Sequence, residues 1–533
     1  MDKVRLSPNL LYRLLLSVLI FIFLFLTLGS VVHKALTYDE PQHFRYGELI
    51  FNLESDRFDD SKMPISVINV IASKLARLVF GDRYDVWQFM SIGRVSTVLF
   101  SLALGILVLT WARSLYGKWI GLVTFGLYVF EPNIIAHSRL ITTDIFAAGT
   151  ITLTLFLFWR FLEETSLRRG LLAALGLGLC QIAKYTGLFL YPLLILLTII
   201  RSWGWITLRL RRRAYRDLWQ AILFLFKYGF LFLVVSLLII NLGFLFNRTG
   251  TPFGDFNFKS SQFQSINNFS RLVRRIPVPV PYPYLEGLDL VLYHERTGEN
   301  YGGIYMLGEL RPGEGFAGYF LVASLFKVPL PILALFCVSL VDFLKSFRSK
   351  EFIKEQVYLL ISVLYFSIYF NFFFRSQIGI RFFLVVFPVI LIFSAHIFRK
   401  WERFSRRTRI VFILSGLYLI TSVASYFPHY LSYFNELVLD RSQSYRILAD
   451  SNLDWGQNRG ALTQFLSEHP EYIFEPAEPT TGVVVVGVNK LTGVLGGTET
   501  YAWLRENFTP DGHLYYTYLI FDISPSDLNG IME

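Results

Sequence analysis

The strongest constraint in this sequence is a series of long apolar runs joined by short, often basic connections. The first, Leu14 to Val32, has no charged residue and is long enough to cross a bilayer. Runs near 12–32, 95–112, 119–135, 145–162, 170–183, 186–200, 219–246, 319–344, 357–374, 382–398 and 410–427 predict about eleven membrane helices. The stretch 170–183 is too short to span upright. With 53% hydrophobic residues, only 17% charged and a mean hydropathy of +0.47, the apolar surface must face lipid, which excludes a soluble enzyme. A cleaved signal peptide is the alternative for the first run. Its apolar core is long for one and no clear small-x-small site follows, so it is expected to be retained.

The net charge of +10 reads as topology rather than as a nucleic-acid footprint. If the N-terminus is cytoplasmic, the inner connections hold Lys3, Arg5 and Arg13; Arg113 and Lys118; Arg160, Arg168 and Arg169; and Arg201, Arg209, Arg211, Arg212, Arg213 and Arg216. They also hold Lys345, Arg348, Lys350 and Lys354, then Arg399, Lys400, Arg403, Arg406, Arg407 and Arg409. The short outer connections carry Arg139, Lys184, Arg375 and Arg381. This asymmetry places three large segments outside: 33–94, 247–318 and 428–533. The chain thus divides into a transmembrane domain, 1–427, and an extracytoplasmic C-terminal domain, 428–533. Cys180 and Cys337 fall inside apolar runs, so there is no disulfide framework and no cysteine-based metal site.

The outer segments differ in character. In the first, Thr37-Tyr38-Asp39-Glu40-Pro41-Gln42-His43 puts two adjacent carboxylates and a histidine where chain meets membrane surface. Desolvated there, a carboxylate can act as a base or hold a cation, although a solvated loop is the ordinary alternative. Ile65 to Leu75 reads as a short interfacial helix. The second segment carries an extended proline strip, Pro277 to Tyr284, and scattered glycines, and predicts a loop without a helix of its own. The third reads as a small α/β module, with strands over 445–449, 482–488 and 513–523 and helices over 455–466 and 499–506. Asp450-Ser451-Asn452-Leu453-Asp454-Trp455-Gly456-Gln457 then follows the first strand, where ligands gather in such layouts, or caps the next helix.

The short outer connections are unusually polar. Glu131, His137, Arg139 and Asp144 lie on one, with Asp144 opening a helix and therefore also readable as a capping residue. Lys184 and Arg381 lie on two others. Lys327 sits about 12 Å into its helix at ~1.5 Å per residue, a costly depth for a cation. Acidic residues on the first outer loops and isolated cations on the later ones suit a lipid-linked anionic substrate, whose phosphate needs Lys or Arg and whose chemistry needs a base. Glu40 or Asp144 with His43 or His294 are candidates for a divalent cation. A lipid-linked sugar transporter or flippase is the rival reading, and an outer-domain scaffold a third. A transporter favours midplane carboxylates and interrupted helices in matching halves, and the sequence has no such symmetry.

Seven motifs in order resemble one family: Tyr38 to Gly47; His137-Ser138-Arg139 with Thr142-Thr143-Asp144; Ala183 to Gly187; Phe326 to Pro331; Ile378 to Phe382; Pro428 to Glu436; and Asp450 to Gln457. Together they resemble the bacterial branch of the GT-C glycosyltransferases related to protein O-mannosyltransferases and lipid A aminoarabinose transferases, over nearly the whole chain. That resemblance implies a multi-pass inner-membrane enzyme acting at the outer face. It would transfer a monosaccharide, with inversion, from a polyprenyl-phosphate carrier to a hydroxyl of a protein, lipid or glycan. It implies Asp39 as general base, with Glu40 orienting it or helping to hold the acceptor. Lys184 and Arg381 would bind the leaving phosphate, with Arg139 and Lys327 as helpers. Asp144 matches the second acidic loop, His43 lies beside the base, and Asn452, Asp454 and Trp455 match a motif near the site. A phosphate leaves without a general acid when cations absorb its charge, so one base and a cationic cradle suffice.

Overall fold

Every expected apolar run is helical in the computed structural model, which describes residues 7–54, 62–81, 83, 85–299, 302–346 and 353–532. Lys3, Arg5, Arg348 and Lys350 of the basic connections lie outside the described residues. Helix ends follow local chemistry. Ser7 Oγ accepts from the Leu10 amide and Pro8 opens the first helix, Pro8–Val32. Asp85 and Gln88 form a reciprocal capping box that starts Val86–Tyr116 ahead of its apolar run. Those 31 residues extend about 46 Å at ~1.5 Å each, against ~30 Å of hydrocarbon, so the helix is longer than an upright span requires. Val67–Phe80, where an interfacial helix was expected, packs against it.

Among the described residues, seven helices are long and apolar enough to cross a membrane, against the eleven runs expected. Two more runs are bent pairs: Lys118–Val129 with Pro132–Ser138, at 68°, and Tyr319–Lys327 with Leu330–Ser346, at 120°. The breaks fall at Pro132 and at Pro329, where proline removes a helical donor and pushes the preceding residue out of the helical region. Of the remaining two, Leu167–Gln181 has only 15 residues and Ile353–Phe372 opens on the polar Lys354-Glu355-Gln356.

Two expectations for the outer segments are corrected. The second segment does have helices of its own, Ser261–Phe269, Arg271–Arg274 and Tyr282–Thr297, followed by a hairpin, Gly303–Met306 with Glu309–Pro312. The proline strip ends in helix because Pro281 is the N-cap and Pro283 falls in the first turn, where a missing N–H costs nothing. In the third segment, 445–449 is not a strand: Arg441–Arg446 is a 3₁₀ turn, and only an isolated bridge ties Leu448 to Met306. The expected helices are shorter, Arg459–Glu468 and Ala502–Asn507.

The C-terminal sheet has four strands in the order Ile473–Phe474, Gly482–Gly487, Tyr518–Ile523, Gly512–Leu514. The first pair is parallel and the others antiparallel, with Val484 opposite Phe521. The run 513–523 splits because Tyr515 and Tyr516 both take positive φ, 54° and 66°, which turns the chain tightly back on itself. One hydrophobic core runs from Phe23, Trp111 and Phe393 among the helices to Val484, Val486 and Phe521 in the sheet. The C-terminal segment is therefore packed onto the helices rather than tethered to them.

Candidate active site

The Asp39 loop is held by a buried ion pair. Glu40 and Arg94 both have fully buried side chains, and Arg94 grips the carboxylate through Nε (2.8 Å) and Nη2 (2.6 Å). The same carboxylate accepts from the amides of Thr37 (2.6 Å) and Ile141 (3.0 Å), and Arg94 donates onward to the carbonyls of Lys34 and Ala35. Burial raises the Glu40 carboxyl, but Arg94 and these donors bring it below its ordinary value. Every lone-pair direction is thus committed inside the protein. Glu40 does not hold an acceptor; it joins the 34–40 loop to Val86–Tyr116 and to the loop before Asp144. Arg94 was missed in the sequence, although an arginine at the head of an apolar run signals a buried carboxylate partner.

Asp39, the residue before this anchor, points instead into a cleft of about 410 Å³. Its Oδ2 accepts from Arg381 Nη1 at 3.0 Å, and its side chain keeps 33% of its exposure. Burial raises the Asp39 carboxyl, but Arg381, then His43 and Lys62, bring it below its ordinary value. Beside it, Lys184 Nζ meets Asp144 Oδ1 at 2.6 Å. Asp144 is the first residue of Asp144–Glu163, but its carboxylate serves this ion pair and Thr143 is the N-cap. His43 lines the same end, its imidazole pushed down to about 3 by burial and the charge of Lys62.

The cleft also has an apolar lining. Leu288, Val291 and Leu292 recur at helical spacing along Tyr282–Thr297, with Glu295 next on that face, and Phe370, Phe374 and Phe382 line the cleft too. Phe382 borders the cations, its ring centroid 4.3 Å from Lys184 Nζ. The Glu295 carboxyl is raised by burial. Neither Lys62 nor this helix was foreseen. The 288–291–292–295 spacing was available, but the prolines just before it read as a loop.

The other predicted residues sit outside this cleft. Lys327 is buried and donates to the carbonyls of Leu431 (2.9 Å) and Asn452 (2.6 Å), so it ties elements together rather than reaching phosphate. Arg139 is fully buried, its three guanidinium nitrogens having no hydrogen-bond partner among the described residues. Burial, with Arg94 nearby, pushes it down to about 9. It is not part of the cleft lining either. Asn452, Asp454 and Trp455 lie in a buried turn against Arg381, whose guanidinium is 3.9 Å from the Trp455 ring centroid. Asp454 Oδ1 accepts from the Gly456 amide at 2.9 Å, and burial pushes its carboxyl up to about 6. The suggested divalent-cation sets do not fit: Glu40 is committed to Arg94 and Asp144 to Lys184. Among the described residues no three His, Cys, Asp or Glu side chains converge as a metal site.

Residues 85–215 match the dolichyl-phosphate-mannose-protein mannosyltransferase family, a segment that includes Arg94, Asp144 and Lys184 but neither Asp39 nor Arg381. No curated protein matches the chain by sequence. In structure it is similar to ArnT from Cupriavidus metallidurans bound to undecaprenyl phosphate, with a TM-score of 0.50 and 14% identity over 83% of this chain and 69% of that one. It is also similar to the Archaeoglobus fulgidus oligosaccharyltransferase in its apo form, with a TM-score of 0.50 and 13% identity over 78% of this chain. The chain spans 55% of that longer protein. The apolar spans and the structural likeness together show that this chain has the GT-C membrane-protein fold, and the family match covers one segment of it.

Proposed function

We propose that the protein transfers a monosaccharide from a polyprenyl-phosphate carrier to an acceptor hydroxyl at the outer membrane face. One observation carries this reading: a single cleft lined both by two carboxylate–cation pairs and by apolar side chains of Tyr282–Thr297 and of Phe370, Phe374 and Phe382. An amphiphile with an anionic head and a hydrocarbon tail matches both kinds of lining. The undecaprenyl phosphate bound by the structurally similar ArnT has that character. The outer face is supported by the basic-residue asymmetry.

The proposed step balances charge within the site. The acceptor oxygen attacks the anomeric carbon from the face opposite the phosphate, the C–O bond to phosphate breaks, and its electron pair leaves with the phosphate. The acceptor proton goes to Asp39. The donor arrives as a phosphodiester monoanion and departs as a phosphate monoester that gains a negative charge. Asp39 becomes neutral in the same step, so Arg381 can transfer its hydrogen bonds to the phosphate without leaving a carboxylate unpaired. Arg381 and Lys184 thus interact more strongly with the transition state than with the bound donor, which is what accelerates a reaction.

The direct test incubates purified protein with a defined polyprenyl-phosphate sugar and follows release of polyprenyl phosphate and mass gain of an acceptor. Failure to consume any such donor refutes the proposal, and movement of intact donor across vesicles would favour a transporter. Labelling a cysteine introduced at exposed Leu495 from the outer side of intact cells tests the orientation.

A further inference from the structure

The turn 449–458 binds both loops that carry the Asp39–Arg381 pair. Toward the first loop, Trp455 O accepts from the Tyr38 amide (3.1 Å) and Gln457 O from the Ala35 amide (3.0 Å). Toward the second, Ser451 Oγ donates to Ile378 O (2.5 Å) and Asn452 Oδ1 accepts from the Ile380 amide (3.0 Å). The second contact is close enough to demand glycine: a Cβ on Gly379 would lie 2.2 Å from Ser451 Oγ. Asn452 is fixed from behind, donating to Tyr319 OH (2.8 Å) and accepting from Lys327 Nζ (2.6 Å) at its carbonyl.

The Arg381 guanidinium carbon lies over the Trp455 ring, 3.9 Å from its centroid. A guanidinium directs its donors in its own plane, while its face stacks on an aromatic ring. Packing on Trp455 therefore restrains Arg381 from one side, while its N–H groups remain available to Asp39 and to an incoming phosphate. This arrangement gives a task to a motif whose role the sequence left open, and it explains why Lys327 and Asn452 are buried together just behind the cleft lining.

We propose that Ser451, Asn452 and Trp455 are positioning residues that hold Arg381 against Asp39 and the leaving phosphate, so that the C-terminal segment completes the active site. The phosphate part of this inference rests on the function proposed above. A displacement of Arg381 by about 1 Å is enough to cost about a hundredfold in rate.

The test uses the full chain in detergent, with Trp455→Leu, Trp455→Phe and Gly379→Ala. Trp455→Leu is expected to lower kcat/KM for the polyprenyl-phosphate sugar by about 10- to 100-fold, with Trp455→Phe restoring most of it. In an Arg381→Lys background the same Trp455→Leu change should cost little further, because the guanidinium that packs on the ring is already gone. Phenylglyoxal modification, mapped by peptide mass spectrometry, gives a readout that needs no turnover. Arg381 should be protected in the wild type and modified in Trp455→Leu and Gly379→Ala protein that still unfolds cooperatively. If the wild type consumes no polyprenyl-phosphate sugar, the proposed function falls, while the phenylglyoxal comparison still decides the positioning role. Equal protection of Arg381 in wild type and in folded Trp455→Leu protein overturns that role. So does a full, additive loss in the Arg381→Lys background.

Discussion

Asp39→Asn should separate chemistry from binding in opposite directions. Asparagine is nearly isosteric and keeps a hydrogen-bond acceptor for Arg381, but it cannot take a proton from the acceptor. Loss of general-base catalysis costs about 10²–10⁴-fold in kcat. The donor side should move the other way. The Arg381–Asp39 contact is a charge-assisted hydrogen bond at 3.0 Å, with Arg381 9% and Asp39 33% exposed. Such bonds contribute about 1.5–3 kcal/mol when buried, and the partial exposure of Asp39 brings this toward the lower end. Arriving phosphate must compete with that bond, so removing the carboxylate charge should tighten undecaprenyl phosphate binding by about tenfold, about 1.4 kcal/mol. The assay pairs single-turnover transfer with equilibrium binding of undecaprenyl phosphate to the same preparation. Near-normal transfer, with contamination excluded, would refute Asp39 as the base. Weaker lipid binding would refute the competition between Asp39 and phosphate for Arg381.

Arg381→Ala and Lys184→Ala should each weaken donor use by about 10- to 100-fold with little change in acceptor KM; a change confined to acceptor KM would move both residues to the acceptor side. Glu40→Gln should act on stability, because it strands the buried Arg94, lowering the unfolding free energy by about 3–5 kcal/mol in thermal or denaturant unfolding; a wild-type midpoint would show the pair is dispensable. Leu292→Trp, on the apolar wall, should reduce use of long-chain donors more than of short-chain analogues, and equal loss for both would place the tail elsewhere. A pH effect is expected at Lys34, whose ammonium is driven down to about 6 from 10.5 by burial and by Arg139 while Nζ contacts Asn458 Oδ1 and His429 Nδ1. Between those two values the unfolded chain binds a proton that the folded protein does not, so this residue makes stability rise with pH from about 6 upward. Lys34→Met should flatten that part of the profile of Tm against pH, and parallel profiles would refute the burial argument.

How much of this was legible before the structure depends on whether a property is local. Hydropathy is local, so all eleven helical runs were found, and the motif around Asp39 could be located at the end of the first. Helix length needed one more local signal, the Asp85–Gln88 capping box, which was overlooked. The Tyr282–Thr297 helix was written in its spacing but obscured by prolines that prove compatible with a helix start. Charge pairing is not local. Arg381 and Asp39 are 342 positions apart, and nothing in either motif says that they meet. Counting carboxylates and cations on the predicted outer connections allowed a polar site to be inferred, but three of those groups had different destinations. Glu40 went to Arg94, Lys327 to two backbone carbonyls and Arg139 into the interior. The sequence determined which charged groups stood on the short connections between apolar runs. Only tertiary packing decided which of them were desolvated against one another and which faced the cleft, because a buried charge takes its role from the nearest partner in space.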